Sequence, residues 1–442
     1  MAMVHKLSRK MAESPIFKTY SFGLPIVSIT GTANVKEALK KEFKDDGVNM
    51  FMVGDANLGD LLGNKSVLYE NKSSTHGMLR RIAGSAMTPS AINDALPSIQ
   101  EAANYQVDQL IQQASNGKEV EMERIFTDYT LDLAWKQILG LDLQEDEVPM
   151  FHKNVQDWIQ HLGDMFLLLP FRIPGLMTLT KVGKARKYLE SKVEEKLDKL
   201  DRDGPDNSTL SKLYFATDEE TGERMTRKQI IDNALILILA GSETSASTLT
   251  TTSLMLGLNK DVWENIKAEQ REIHAKHGDG LTRQSIDECV YLDAVIREAL
   301  RIKPLEGMEL RQVSDSNMVV DGKRIPKNWL TMLNIKNTHW EDPAVYKEDG
   351  SHMDIIEGFK PERWLDESTK PGEWMPFGDG RRRCIGERLA WAEMKVILSI
   401  LARRVEDYEL VNDDCGTKWK PEAFLSRPLD GVLVKPTPAT VV

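Results

Sequence analysis

Cysteine is scarce in this sequence, which has only Cys289, Cys384 and Cys415 among its 442 residues. Three scattered thiols cannot form the disulfide framework of a small secreted domain, so a reducing, intracellular compartment is expected. Long apolar runs are also missing, and none approaches the roughly 18 residues that a membrane-spanning helix needs. Basic residues are outnumbered as well, and the net charge of −11 argues against a nucleic-acid-binding protein.

One of the three cysteines lies at the entrance of a predicted helix. The run from Phe377 to Gly386 reads FGDGRRRCIG, and the helix begins at Glu387. The helix N-terminus and the arginines favour the thiolate of Cys384, which makes it a nucleophile, a metal ligand or an axial ligand of haem iron. No second cysteine or histidine nearby completes a zinc site. Since the glycines let the backbone approach a large flat group and an arginine can bind a propionate, haem-thiolate ligation fits every part of the run.

The pattern F-x-x-G-x-R-x-C-x-G resembles the haem-binding loop of the cytochromes P-450. Its five fixed positions are met by Phe377, Gly380, Arg382, Cys384 and Gly386. The resemblance implies that Cys384 is the axial ligand of the iron in haem b (iron protoporphyrin IX) and that the other four contact the cofactor. The alternative is a basic surface loop with a structural cysteine. A long motif that leads into a helix, however, matches unrelated sequences by chance far less often than a short one.

A long helix is predicted from Thr226 to about Leu258, and its centre, Ala234 to Ala240, is apolar all round. Such a centre is expected to be buried on every side. The segment AGSET follows, and a threonine that bonds back to its own helix can bend it into a groove. The segment matches the P-450 motif [A/G]-G-x-[D/E]-T. The resemblance implies that Thr244 holds the bound dioxygen and its waters and that Glu243 relays protons inward. The same motif implies that Ala240 and Gly241 lie beside the cofactor and contact it.

A second pair of motifs predicts a buried ionic network. Glu298 and Arg301 are three positions apart, so they lie on one face of a predicted helix. In the P-450 family this E-x-x-R pair is buried and also meets the arginine of a P-E-R segment, which is present here at Pro361 to Arg363. The resemblance therefore implies a Glu298–Arg301–Arg363 network that fixes the cysteine loop in register.

Three basic residues are assigned to the haem propionates by resemblance. His76 and Arg80 are four positions apart and share one helix face, as in the W/H-x-x-x-R pair of the family. Arg311 occupies the position of a further propionate ligand. The alternative is that His76 and Arg80 form a solvated basic face of the helix. This alternative stays open because short motifs often match unrelated sequences by chance.

The substrate pocket is placed by resemblance alone. Its border is expected at Leu305, Glu306 and Met308, with Phe424 in the last substrate-contacting turn. Glu306 departs from the apolar residue expected there. If it faces the cavity, the substrate has a polar or cationic group; if it faces solvent, it carries no such meaning.

The resemblance covers the chain from Ile16 onward and implies a mainly helical P-450 fold with a smaller β-rich lobe. Residues 1–14 are expected to be a leader or an expression remnant, and residues 15–442 a single catalytic domain. The run Met165 to Phe171 is expected to border a lid whose apolar tip dips into a membrane surface, or else to pack in the core. The protein is then cytoplasmic if naturally soluble, or bound to the endoplasmic reticulum or plastid membrane if an anchor was trimmed.

The function implied is that of a haem-thiolate monooxygenase, which inserts one oxygen atom of dioxygen into a C–H bond. The expected substrate is small and mostly apolar: an isoprenoid, retinoid, sterol or fatty chain, with or without a polar head. Electrons are expected from an NADPH–P-450 reductase or a ferredoxin, which Arg381, Arg383 and Lys395 would meet on an acidic surface. The branch that the sequence resembles includes retinoic-acid, sterol and terpenoid hydroxylases. Two alternatives stay open, a P-450-like peroxide isomerase or lyase and a non-catalytic haem-binding protein.

Overall fold

A computed structural model describes residues 14–21, 24–51, 55–163, 176–305, 307–340, 342, 357–412, 419, 425 and 427–439. Its first α-helices are α1 (Thr32–Leu39), α2 (Asp55–Leu62), α3 (Ser73–Ser85), α4 (Pro89–Ser115), α5 (Met122–Leu133), α6 (Val148–Gln160), α7 (Leu176–Leu179) and α8 (Lys181–Asp203). The later ones are α9 (Thr209–Phe215), α10 (Arg227–Leu258), α11 (Lys260–His277), α12 (Arg283–Asp287), α13 (Val290–Ile302), α14 (Ile335–Trp340) and α15 (Glu387–Arg404). The turn Ala134–Leu139 is π-helical and continues α5, and short 3-10 turns cover His161–Gly163, Pro361–Trp364 and Gly380–Arg382.

The long helix α10 runs through the middle of the fold. It begins at a capping box, in which the Thr226 hydroxyl accepts from the Gln229 backbone N–H and the Gln229 side chain accepts from the Thr226 backbone N–H, so two orphan donors are satisfied. Its first half contributes to an apolar cluster with α2, α3, α6 and α8. Its second half contributes to another cluster with α4, α5, α11, α13 and α15. A helix shared by two cores holds a fixed position, which suits a site built on it.

The strands form a smaller lobe and two minor sheets. They are β1 (Ile16–Ser21), β2 (Leu24–Ile29), β3 (Val48–Met50), β4 (Val120–Glu121), β5 (Glu309–Val313), β6 (Met318–Val320), β7 (Lys323–Ile325), β8 (Leu330–Leu333), β9 (Val405–Leu410) and β10 (Leu433–Pro438). The main sheet has the order β1-β2-β8-β5-β3, in which β2 and β8 pair in parallel and the other neighbours antiparallel. The second sheet has the order β4-β10-β9, and β6 pairs with β7. The predicted fold class, mainly helical with a smaller β-rich lobe, is confirmed.

The helix boundaries agree with the sequence patterns where a capping signal is present. Thr88, Thr180 and Thr226 accept from the backbone N–H three residues on and start α4, α8 and α10. The helix α6 ends at Gln160, and residues 164–175, which include the run expected to border a lid, lie outside the described residues. Within the described part of the chain, each helix is too short or too polar to cross a bilayer.

Candidate active site

The cysteine loop joins a 3-10 turn to the start of α15. The backbone N–H of Cys384 donates to the Phe377 carbonyl at 3.0 Å, and that of Arg383 donates to the Gly380 carbonyl at 3.3 Å. Gly378 and Gly380 have φ of 68° and 71°, a region that disfavours residues with a Cβ. The loop therefore presents Cys384 as an exposed residue at the positive end of a helix, where a thiolate is favoured.

The form of the loop depends on a close approach at Gly380. A Cβ there would lie 3.1 Å from the Leu39 Cβ and 3.4 Å from Glu42 Oε2, so the loop is packed directly against the end of α1. Gly386 serves as the N-cap of α15, and a Cβ there would meet nothing within 4 Å. Of the motif's last two glycines, Gly380 is thus fixed by packing and Gly386 lies beside open space.

Arg382, which the resemblance assigns to the cofactor, fastens the loop to the segment before α3. Its two terminal nitrogens donate to the carbonyls of Val67, Leu68 and Glu70 at 3.2, 3.0 and 2.6 Å. Its Nε is buried and makes no hydrogen bond with a described residue, and burial lowers the pKa of the guanidinium to about 10. The contacts of Arg382 are thus mainly structural. Its Nε lies 3.8 Å from Glu42 Oε1, which is an ion pair but beyond hydrogen-bond distance, so this N–H can still donate to an anionic ligand.

The predicted pair His76 and Arg80 lies on α3 as expected, but the histidine is neutral. His76 is buried, and burial followed by the charges of Arg382, Arg80 and Arg381 lowers its pKa to about 3. Its ring packs 4.8 Å from the Phe43 ring. Arg80 donates to the Arg383 carbonyl at 2.5 Å and interacts electrostatically with Cys384. His76 can therefore offer a neutral N–H to an anion, while Arg80 supplies charge.

Arg311 lies in a buried ionic cluster that sequence reasoning missed. Its Nε donates to Glu42 Oε1 at 3.0 Å and its Nη2 to Glu309 Oε2 at 2.7 Å. Burial raises the pKa of Glu42, although Arg311 opposes the shift. A Cβ at Gly378 would lie 3.4 Å from Glu309 Oε1, so the cluster borders the cysteine loop. Two carboxylates already pair with Arg311, which leaves it less available to a propionate than the resemblance implied.

These residues fit a haem group. Four guanidinium groups, of Arg80, Arg311, Arg381 and Arg382, act on this region, and the two carboxylates that pair with them leave an excess of positive charge. A haem carries two negative propionates, which such an excess attracts. The buried, unbonded Nε of Arg382 is a further donor for one of them. Together with an exposed cysteine at a helix N-terminus, this donor set suits haem-thiolate ligation.

The α10 motif supplies a hydroxyl and an apolar face. Thr244 Oγ1 donates to the Ala240 carbonyl at 2.6 Å, the back-bond that was predicted. The expectation that Ala234 to Ala240 is buried on every side is wrong, because Leu237 and Leu239 are half-buried and Ala240 is exposed. Ala240 therefore lies on a part of α10 that a flat apolar group can pack against. A Cβ at Gly241 would lie 3.2 Å from the Ile138 Cδ1, so Gly241 lets the π-helical turn approach α10.

Glu243, the predicted proton relay, is held by an arginine that sequence reasoning did not find. Arg427 Nη2 donates to a carboxylate oxygen of Glu243. The same guanidinium donates from Nη1 to Glu123 Oε1 at 2.8 Å and from Nε to Ser247 Oγ at 2.6 Å. We call Arg427, Glu243, Glu123 and Ser247 the Arg427 clamp. Arg427 and Glu123 lie far from α10 in the sequence, so residue spacing did not predict these contacts.

A second unexpected acid, Glu393 of α15, faces α10 from the other side. Ser245 Oγ donates to Glu393 Oε2 at 3.0 Å, and the Tyr129 hydroxyl donates to the Glu393 carbonyl at 3.0 Å. Burial raises the pKa of Glu393 to about 8, with the Ser245 hydrogen bond opposing the shift. Glu393 is therefore mostly protonated at neutral pH and joins α10 to α15 without a buried charge.

Glu393→Gln is expected to remove a pH dependence of stability. The folded carboxyl binds its proton up to about pH 8, whereas the unfolded one releases it above 4.5. The parent therefore loses stability as pH rises from about 4.5 to 8, by roughly 3–5 kcal/mol. The amide of glutamine also accepts from Ser245 but does not ionise. Urea unfolding at pH 5 and pH 8 measures this, with the exposed Glu409→Gln as the control. Equal pH slopes in parent and Glu393→Gln would contradict the prediction.

The structure brings Glu298, Arg301 and Arg363 together. Glu298 is fully buried and accepts from Arg301 Nε at 2.8 Å, from Arg301 Nη2 at 2.7 Å and from Arg363 Nε at 2.9 Å. It also accepts from the Lys360 backbone N–H at 3.0 Å and from Trp364 Nε1 at 2.9 Å. The contacts expected from the two motifs are thus present, with two further donors.

The predicted pocket residues are only partly described. Leu305 packs against the cluster of α4, α10 and α15, and Met308 packs against a small apolar patch formed by Ile26, Leu330 and Met332. Glu306 and Phe424 lie outside the described residues. The patch shows that the face of the main sheet near Met308 is apolar.

Lys395, expected on the partner-facing surface, is buried instead. It pairs with Asp293 at 2.9 Å and its side chain is 9% exposed, because α15 turns this position towards α13. Arg381 and Arg383 are exposed, and Arg383 pairs with Glu387 at 2.8 Å. The exposed positive charge near Cys384 therefore comes from the loop and from Arg388 in the first turn of α15, and not from Lys395.

Comparisons with known proteins agree on one family. A family model described as Cytochrome P450 matches residues 1–434. The chain is 26% identical over 408 residues to cytochrome P450 26B1 of Danio rerio, covering 89% of this chain and 75% of the relative. It is 27% identical over 443 residues to cytochrome P450 26B1 of Mus musculus, covering 97% and 81%. A solved structure of cyanobacterial CYP120A1 with retinoic acid bound has a TM-score of 0.81 at 25% identity, covering 98% of this chain and 94% of that one.

Proposed function

Because this chain belongs to the cytochrome P450 family and is a monooxygenase of the P450 type, we propose that it oxidises an apolar molecule of the retinoid or isoprenoid class. The observation that carries the proposal is the likeness to a retinoic-acid-bound structure over nearly the whole chain. Met308, which the resemblance assigns to the pocket border, packs against an apolar patch of the main sheet, and this supports an apolar ligand because ligand pockets are lined mainly by apolar side chains.

We assign haem b to the cysteine loop, with Cys384 as the axial ligand. Haem held by a thiolate activates dioxygen for insertion into a C–H bond. Arg80 and the N–H of His76 would bind propionates, and Arg382 Nε would add a third donor. Arg382 also holds the loop closed through the carbonyls of the segment before α3, so loop geometry and cofactor binding depend on the same side chain.

The α10 motif would manage protons and water. Thr244 Oγ1 donates its hydrogen to the Ala240 carbonyl, so its lone pairs remain to accept from a water molecule in the groove. Glu243 is the acid that would pass a proton along that water. The exposed Ala240 lies one helical turn from Thr244 and gives the groove an apolar wall, which limits the number of waters.

Thr244→Ala is expected to uncouple electron consumption from product formation. Without the hydroxyl, water in the groove is no longer held, so we expect product per electron to fall about tenfold, a modest loss for a group that positions a proton. The measurement is product formed and hydrogen peroxide released per NADPH consumed. Thr250→Ala is the matched control, because Thr250 lies on the same helix and donates to the Ala246 carbonyl at 2.8 Å. Unchanged coupling in Thr244→Ala would remove this residue from proton management.

Electrons would come from a protein with an acidic surface. Arg381 and Arg383 are exposed beside Cys384, and complementary charge mainly accelerates association. A flavin reductase and an iron–sulfur ferredoxin both fit this description. The rate of reduction by the reductase and by the ferredoxin is measured at rising salt concentration. A partner that binds through complementary charge reduces the protein more slowly as salt screens that charge, whereas a non-specific donor does not.

The substrate class is tested by spectral titration. We expect retinoic acid, and more weakly a fatty acid of similar length, to shift the haem spectrum and to yield a hydroxylated product with a reductase. A compact polar molecule serves as the negative control. Turnover of an organic hydroperoxide without any reductant, with no product from retinoid plus NADPH, would instead favour a peroxide isomerase.

A further inference from the structure

We propose that Glu42 binds the cofactor: its protonated carboxyl donates a hydrogen bond to a haem propionate, so that haem is bound together with one proton. This inference rests on the cofactor assigned above. Glu42 follows α1, and its side chain is 1% exposed. No motif of the sequence assigned it a role. A protonated carboxyl is a neutral donor, unlike the arginines that surround the same site.

Two buried polar atoms of this region make no hydrogen bond with a described residue, Glu42 Oε2 and Arg382 Nε. They are neighbours, because Arg382 Nε lies 3.8 Å from Oε1 of the same carboxyl group. Oε1 itself already accepts from Arg311 Nε at 3.0 Å. Buried polar atoms in native proteins are nearly always paired. One ligand oxygen that reaches both atoms would therefore complete the hydrogen bonding of this region.

The unbonded oxygen of Glu42 lies against the cysteine loop. A Cβ at Gly380 would lie 3.4 Å from Glu42 Oε2, and the φ of Gly380 is 71°, a region that glycine adopts most readily. The glycine thus lets the loop approach the carboxyl group closely. Because the same loop presents Cys384, a haem held by this cysteine has its edge groups within the reach of residues that line the loop.

The charged groups around Glu42 favour its neutral form once an anion binds. Arg311 and Glu309 face it from β5, and Arg382 faces it from the cysteine loop. Arg80 of α3 also interacts with it electrostatically. Burial raises the pKa of Glu42, the arginines of β5 and the loop lower it, and Glu309 raises it again, with a net upward shift. Two propionates add two negative charges, which raise the pKa of this carboxyl further.

Protonation converts a repulsive contact into a hydrogen bond. An ionised Glu42 would place its Oε2 beside a propionate oxygen with no hydrogen between them, in a region from which water is largely excluded. One proton shared by two adjacent carboxyl groups removes this repulsion. The proton is taken from solvent when haem enters and returns to solvent when haem leaves. A water molecule in the same position would instead accept from Arg382 Nε and donate to ionised Glu42, and haem binding would then take up no proton there.

Haem retention is therefore expected to weaken as pH rises. The loaded protein keeps the Glu42 proton to a higher pH than the haem-free protein does. Affinity is thus greatest at low pH and falls between the two pKa values, by about tenfold per pH unit at most. The measurement is the rate at which the loaded protein transfers haem to an excess of apomyoglobin between pH 6 and pH 9. We expect this rate to rise about tenfold over the range.

The decisive variant is Glu42→Gln, because the amide N–H of glutamine donates to a propionate at every pH. Its haem release should depend little on pH and should be about tenfold slower than that of the parent at pH 9. The matched control is Glu309→Gln, which removes a carboxylate from the same Arg311 at a side chain that is 20% exposed. Arg311 keeps one carboxylate partner in either variant, and the pH dependence should persist in the control.

An infrared titration of the loaded protein follows the proton itself. Between pH 6 and pH 9 the parent and Glu309→Gln should lose a band of protonated carboxyl that Glu42→Gln lacks. Glu393, whose pKa is about 8, contributes the same loss to all three proteins. Haem dimethyl ester, in which the propionates carry no charge, is a second probe that needs no substitution. With this ester, the parent should lose the pH dependence of release.

The outcomes separate this inference from the proposed function. If release from Glu42→Gln keeps the parental pH dependence, or if haem and its dimethyl ester give the same dependence in the parent, the role of Glu42 is overturned and the monooxygenase stands. Loss of the dependence in Glu309→Gln as well would attribute it to the charge on Arg311 and equally overturn the role of Glu42. A parent that binds no haem overturns the cofactor assignment and this inference together. A parent that binds haem but oxidises no retinoid fails only the substrate proposal, and the measurements on haem release still decide the role of Glu42.

Discussion

Replacing Cys384 by serine is expected to abolish the strongly red-shifted absorption band of the reduced, carbon monoxide-bound protein. The hydroxyl of serine stays protonated and cannot supply the electron density that a thiolate ligand gives to haem iron. We expect hydroxylation to fall by roughly a thousandfold or more, since the thiolate is what adapts this haem to oxygen activation. Haem binding itself should weaken less, because Arg80, His76 and Arg382 Nε are unaltered.

Cys289→Ser is the matched control for this substitution. Cys289 is buried, accepts from Gln270 Nε2 at 3.3 Å and donates to the Ser285 carbonyl at 3.3 Å. Serine can make both contacts, so the red-shifted band should persist. A Cys384→Ser protein that still showed the band, or a parent that showed the band of imidazole ligation, would refute the assignment of the axial ligand.

Glu298→Gln is expected to cost about 3–5 kcal/mol of stability, the amount typical when one partner of a buried ion pair is removed. The change leaves the guanidinium groups of Arg301 and Arg363 without the carboxylate between them. Arg301 is 1% exposed, so water cannot replace the lost charge. Because Glu298 also accepts from Trp364 Nε1 and the Lys360 N–H, the segment leading to the cysteine loop should loosen and haem retention should fall.

Thermal and urea unfolding of the haem-loaded protein, together with haem content after dialysis, measure this effect. Glu367→Gln is the control, because Glu367 is 88% exposed and pairs with Lys370 at 2.8 Å, a type of pair that contributes about 0–1 kcal/mol. A Glu298→Gln protein with parental midpoint and parental haem content would show that the network does not fix the loop.

The parts of the site that lie within one segment could be predicted from the sequence. The cysteine loop and the E-x-x-R pair are short runs whose residue types indicate a thiolate ligand and a buried ion pair. The helix α10 is predicted by its N-cap and its apolar centre. The partners that complete these parts could not be predicted. Arg427 lies 184 positions from Glu243 and 304 from Glu123, and no periodicity links such residues.

Protonation states were also beyond the sequence. His76 looks like a basic residue in a P-450 motif, yet burial and three arginines keep it neutral. Glu393 looks like one acid among many on a charged helix, yet its burial against α10 keeps it protonated. Both results depend on which groups the fold brings close, and the same dependence explains why Ala240 is exposed although it ends an apolar stretch of its helix.

The hydrogen bonds from Arg382 to the segment before α3 have a consequence for folding during synthesis. Arg382 and Val67 are 315 positions apart, and Arg80 and Arg383 are 303 apart. Closing so long a loop is entropically costly, and folding that depends on distant contacts is slow. During synthesis, the segment before α3 leaves the ribosome first, and it can contact Arg382 only after the cysteine loop has also left the ribosome. We therefore expect capture of the proposed haem to be a late event, so that the supply of haem at that stage limits the yield of active protein.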